Sequence, residues 1–138
     1  GLKYLYFFQI VVLFLPFLDD LPAAYMLADV VVVSSLSPEP FGRVAVEAQA
    51  MGKPVVAFSH GGVAESVLDG VTGKLVKPVY SDDLSEAINY YLNLTPSKRL
   101  KLAKIARSHI INNFSSKQMI DKTIQLYEKT LLKFKNNA

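Results

Sequence analysis

The sequence predicts an α/β fold: a parallel sheet flanked by helices, followed by a helical C-terminal tail. Three observations point to it. The runs Val11 to Leu15, Val30 to Val33 and Pro54 to Phe58 are continuously apolar and rich in β-branched residues, the pattern of strands covered on both faces. Helix-forming stretches separate them, and strands alternating with helices build a parallel sheet with helices packed on it. Beyond Thr95 the strand signals stop and helical spacing takes over.

The elements follow in order along the chain. The first strand, Val11 to Leu15, sits within an apolar run from Tyr4 to Leu18 that only Gln9 and Pro16 interrupt. That run is shorter than the roughly 20 residues a spanning helix needs. Asp19-Asp20-Leu21-Pro22 follows it directly, without the small-residue cleavage site of a signal peptide. Gly1 stands almost inside the run, as expected of a chain cut from something longer. Asp20 can cap a helix over Ala23 to Ala28 with Pro22 in its first turn. Val30 to Val33 is the second strand. After the loop Ser34 to Phe41, Arg43 to Met51 is rich in Ala, Glu and Gln, and Gly52 stops that helix. Pro54 to Phe58 is the third strand, Ser59-His60-Gly61-Gly62 a loop, and Val63 to Leu68 a short helix.

Asp69-Gly70 makes a turn, Lys74 to Val76 adds a strand, and Ser81-Asp82-Asp83 opens a helix to about Leu94, with its acids at the positive end. Thr95-Pro96 caps the next helix. Ser115 or Ser116 caps the last, where Ile120, Ile124, Tyr127, Leu131 and Phe134 recur at helical spacing.

Composition bounds the function. The 138 residues are 51% hydrophobic and 20% charged with a net charge of +3. Such a chain buries about two thirds of its unfolded surface, so residues 1–138 read as one domain and not as a disordered segment. The absence of cysteine excludes disulfides, thiol nucleophiles and thiolate metal sites, and fits a reducing compartment. Charge is uneven: residues 1–97 carry 5 basic and 10 acidic side chains, residues 98–138 carry 10 basic and 2 acidic. A basic tail is either a solvated helical face or a contact for anionic lipid head groups or nucleic acid.

In open parallel sheets ligands bind beyond the carboxyl ends of the strands, here the loops 16–20, 34–42 and 59–62. The densest runs from Ser37 to Glu47. Gly42 allows close approach to the backbone, and the free amides and dipole of a helix starting there favour an anion, which describes a phosphate seat. A carboxylate beside phosphate repels it, so Glu39 and Glu47 suit neighbouring hydroxyls of a sugar or ribose instead. Other roles stay open: Glu47 can form a surface pair with Arg43, four residues earlier, worth about 0.3–0.5 kcal/mol. Glu39 can cap the helix. Gly61-Gly62 can expose several amides or simply make a tight turn. His60 and His109 have no evident metal partners, and no protein-held metal is expected.

Taken together, these loops resemble the C-terminal half of the GT-B glycosyltransferases of family 4, also called group 1. Glu39 and Glu47 stand in that family's Glu, seven residues, Glu arrangement, with Phe41-Gly42 where the family shows Phe-Gly. Glu47-Ala48-Gln49-Ala50-Met51-Gly52-Lys53-Pro54-Val55-Val56-Ala57 resembles its EAxAxGxPVVA run, Gly61 to Glu65 its GGxxE, and Asp69 to Gly73 its DGxTG turn. The resemblance covers roughly residues 11–95 and implies a Rossmann-like sheet. It also implies roles. Glu39, as catalytic-site carboxylate, with Phe41 and Gly42, would hold the donor sugar and diphosphate; Gly61 and Gly62 would line the same site. Glu47 would take the ribose, and the loop at Phe17 and Leu18 would lie beside the base.

Such enzymes transfer a hexose, with retention, from a nucleoside diphosphate sugar (GDP-, UDP- or ADP-linked) to an acceptor. Phe-Gly-Arg followed by VEAQAMG looks most like transferases acting on cell-envelope glycans or lipids, the lipopolysaccharide core among them. The implied place is the cytoplasm, at the inner face of the membrane, with peripheral anionic-lipid contact and no nucleic acid partner. The family's Arg/Lys pair and its N-terminal Rossmann-like half have no counterpart here, so the 138-residue chain alone is expected to transfer little. An inactive truncated remnant and a GT-B sugar-nucleotide 2-epimerase domain are the competing readings.

Overall fold

A computed structural model describes residues 20–136. The expected strand Val11 to Leu15 lies outside the described residues. The elements are α1 (Leu21–Leu27), β1 (Val31–Val33), α2 (Arg43–Ala50), β2 (Val55–Phe58), α3 (Gly61–Ser66), β3 (Gly73–Val76), α4 (Ser81–Leu92), α5 (Pro96–Phe114) and α6 (Ser116–Asn136). Local chemistry sets the starts as expected: the Asp20 carboxylate accepts from the Ala23 amide (3.1 Å) with Pro22 in the first turn of α1. Thr95 Oγ1 accepts from the Lys98 amide and Ser115 Oγ from the Gln118 amide. Past the end of α2, Gly52 has φ +74°, the left-handed stop.

The three strands are parallel in the order β1-β2-β3, with Val31 opposite Val55 and Val55 opposite Gly73. All four residues of central β2 are buried, which is why it reads as an unbroken apolar run. Its alternating side chains feed two cores. Val55 and Ala57 pack with Tyr25, Val31, Ala45, Ala48, Val63 and Val67 on the face covered by α1, α2 and α3. Val56 and Phe58 pack with Val76, Ala87, Tyr91, Leu102 and Ala106 on the face covered by α4 and α5. Burial pushes the Tyr91 phenol up to about 12.

Polar fasteners join the layers. Gln49, fully buried, donates to the Ala45 carbonyl and accepts at Oε1 from Thr72 (2.7 Å), whose oxygen accepts from the Leu68 amide. This accounts for the threonine of the DGxTG turn: it satisfies buried groups of α2 and of the turn together. In the same turn Asp69 accepts from the Leu75 amide and from Lys74, and these bonds hold its carboxyl below the usual range. Arg99 donates to Asp29 and to the carbonyls of Leu92 and Leu94, pinning the end of α4 beside β1.

Several boundaries shift by one or two residues, and two of the shifts bear on the site or the sheet. The third helix begins at Gly61, not Val63, so the glycine pair forms its first turn instead of a loop before it. The last strand begins at Gly73, one residue early, because that glycine lies against the Val55 carbonyl, where a Cβ has no room.

Candidate functional site

Because β1 and β2 are parallel, the segments leaving their carboxyl ends emerge on the same edge of the sheet. They meet there backbone to backbone. The Gly62 amide donates to the Glu39 carbonyl (2.8 Å). A Cβ at Gly61 would stand 2.5 Å from that carbonyl oxygen, and one at Gly62 2.5 Å from the Phe41 carbonyl oxygen. Gly42 has φ +68°, and a Cβ on it would stand 2.8 Å from Val63 Cγ2. Glycines therefore stand where only glycine fits, and the seam brings Glu39, Phe41, Gly42, Gly61 and Gly62 together.

His60 closes the seam from its other end. Its Nε2 lies 2.7 Å from the Ser35 carbonyl oxygen; a carbonyl only accepts, so Nε2 carries the hydrogen. Nδ1 is then a lone-pair acceptor, buried and without a partner among the described residues. The sequence reading treated His60 only as a failed metal ligand. Its role as a loop tie depends on a contact 25 residues away, which no local signal announces.

Gly42 caps α2 without a side chain, leaving no side-chain acceptor on that helix's first-turn amides. Glu39 thus does not cap the helix. Its carboxylate, half-buried, has no hydrogen bond or ion pair to another described residue. The start of α2 at Gly42 and Arg43 thus has no side-chain cap among the described residues.

Glu47 lies one turn further along α2, about 6 Å up the axis from Arg43. It takes the surface pair, with Arg43 Nε and Nη2 donating to Oε1 at 3.3 and 3.0 Å. It also has a partner the sequence did not reveal: the buried Tyr25 hydroxyl of α1 donates to Oε2 at 3.2 Å. Burial, together with the carboxylate it donates to, raises the Tyr25 phenol above its ordinary value. Phe17 and Leu18 lie outside the described residues.

Among the described residues no group of three His, Asp or Glu side chains could hold a metal ion, and no helix is long and apolar enough to cross a membrane. A cavity of about 700 Å³ lies elsewhere, between β3 and α4, lined by Lys74, Lys77, Tyr80, Glu86 and Tyr90. It shares no residue with the seam.

Several known proteins are similar to this chain. The chain is 41% identical over 98 residues to lipopolysaccharide 1,2-N-acetylglucosaminetransferase of Salmonella typhimurium, covering 70% of this chain and 25% of that one. A glycosyltransferase from Rickettsia africae superposes with a TM-score of 0.71 at 35% identity, over 78% of this chain and 29% of that one. Alr3699/HepE of Anabaena, solved in complex with UDP, superposes with a TM-score of 0.69 at 38% identity, over 78% and 30%. The chain thus spans about a quarter of the length of the curated relative it matches. The family model described as "Glycosyl transferases group 1" matches residues 3–109, well over half of the sequence, and the chain belongs to that family.

Proposed function

We propose that this chain is the donor-binding half of a retaining glycosyltransferase that takes a hexose from a nucleoside diphosphate sugar to a cell-envelope glycan or lipid. The observation that carries this reading is the seam, where two strand-end segments press their backbones together and leave the uncapped start of α2 between two carboxylates. Amides and dipole at that start suit the diphosphate, whose charge grows as the sugar departs. The carboxylates suit hydroxyls: Glu39, with the backbone of Phe41 and Gly42, on the donor sugar, and Glu47 on the ribose. Gly61 and Gly62 keep the wall of the site at backbone thickness, and the base lies toward Phe17 and Leu18.

The capture of UDP and of UDP-glucose by the Anabaena protein supports a nucleotide sugar as ligand. The lipopolysaccharide transferase among the relatives supports an envelope acceptor. Transfer itself calls for an N-terminal Rossmann-like half to bring the acceptor, so this chain alone binds donor weakly and transfers little. No protein-held metal takes part, and the place of action is the cytoplasmic face of the membrane, with the basic α5 and α6 toward anionic lipid.

Calorimetric titration with UDP-glucose, GDP-mannose and ADP-heptose tests the reading. One of them binds; Glu39→Gln weakens that sugar nucleotide about 10-fold while leaving the bare diphosphate unchanged or slightly tighter, the loss expected for hydrogen bonds to a charged group. Equal binding of the sugar nucleotide by the variant, or robust transfer by the 138-residue chain, defeats it.

A further inference from the structure

The two groups on Glu47 hold it unequally. Tyr25 is 7% exposed and packed in the core with Ala45 and Ala48, so its hydroxyl is fixed where it meets Oε2. Arg43 is the opposite: its side chain is 78% exposed, both of its N–H donors go to the same oxygen, Oε1, and it has no other partner among the described residues. An exposed pair four residues apart on a helix contributes little to stability, so it yields readily to a competing donor. A ribose diol is such a donor, with two O–H groups in the geometry one carboxylate accepts. Arg43 is also the first residue of α2, beside the uncapped amides, and a guanidinium released there has a planar fork suited to phosphate oxygens.

We propose that Arg43 is a diphosphate-binding residue parked on Glu47 in the free protein, and that nucleotide binding exchanges it. The ribose hydroxyls take Glu47 Oε1, the freed guanidinium turns to the diphosphate, and Tyr25 stays on Oε2 as the positioning residue that keeps the carboxylate aimed. The exchange moves one positive charge to where it is needed most: Arg43 faces the Glu47 carboxylate before binding and the more highly charged diphosphate afterwards, while neutral hydroxyl donors satisfy Glu47. This inference rests on the reading of Glu47 as the ribose ligand.

The experiment uses UDP, GDP and ADP as probes, and compares the one that binds best with its nucleoside and its 2′-deoxy diphosphate. Arg43→Ala weakens the diphosphate about 10-fold and leaves the nucleoside unchanged or slightly tighter. Equal loss for both, or no change in either, overturns the exchange. Tyr25→Phe keeps the buried ring and weakens the ribonucleotide about 5-fold, with a smaller effect on the 2′-deoxy form, which keeps one of the two hydroxyls, and none in a Glu47→Ala background. A loss that persists without Glu47 makes Tyr25 merely structural and overturns its assignment. Failure of the underlying reading is separate: Glu47→Ala then leaves ribonucleotide affinity intact, or no probe binds at all, and the inference falls with it.

Discussion

Helices α2 and α6 look alike as patterns and differ in everything else. The first has 8 residues, the second 21. The short one buries Ala45, Ala48 and Gln49 completely, whereas no described side chain of the long one is buried, and Ile120, Ile124 and Tyr127 lie open on it. The difference teaches that amphipathic spacing records a capacity to be covered, and that position in the fold decides whether this chain does the covering. Where α2 sits, against the sheet and in contact with α5, with its first turn against α3, its buried face has no room for added atoms.

That contrast can be broken hardest at the seam. Gly62→Ala puts a methyl group against the Phe41 backbone, which has nowhere to go. We expect a loss of about 3 kcal/mol by urea denaturation, at the upper end of ordinary overpacking. Loss below 1 kcal/mol would show that the two loops are not locked together.

Next comes the buried fastener of α2. Thr72→Val keeps the shape but strands Gln49 Oε1 and the Leu68 amide, and should cost about 2 kcal/mol. The double variant with Gln49→Leu should recover part of that loss, since one buried orphan is then removed.

The turn after β3 stands between the two extremes. The Tyr80 amide closes it on the Lys77 carbonyl, with Pro78 second and Val79 third at φ +75°, a place that suits glycine. Val79 is 78% exposed, so little packing compensates. The left-handed penalty of a β-branched residue exceeds the entropy glycine gives up, and Val79→Gly should stabilise the chain by about 0.5–1 kcal/mol, read as a higher Tm.

The smallest effect sharpens the comparison from the other side. Ile124→Ser on α6 should change the stability of this chain by no more than about 0.5 kcal/mol, as exposed substitutions do. A loss comparable to that of a core isoleucine would mean α6 is covered after all.

Most of the scaffold was legible along the chain. Asp20, Thr95 and Ser115 cap helices through bonds that span three residues, so their effect is written locally. Unbroken valine runs announce strands buried on both faces. The seam was half legible: Gly42 and Gly61-Gly62 marked loops where backbone approaches closely, but a pair of glycines does not say what approaches. It proved to be the other loop, and that contact let the helix start at Gly61 where propensity placed it at Val63. Glu47 shows the limit most clearly. Its pair with Arg43 could be read from spacing, while Tyr25, 22 residues away, could not.

By itself, then, the sequence determined the α/β alternation, the helix caps and the family, because each of these is set by residues within a few steps of one another or by short motifs. Only the tertiary structure decided that Tyr25 holds one oxygen of Glu47, that His60 ties the two loops, and that Ile120, Ile124 and Tyr127 of α6 stay exposed. Those outcomes depend on the register of parallel strands and on which helix packs over which pair of them, and such long-range geometry leaves no mark in the local order of residues.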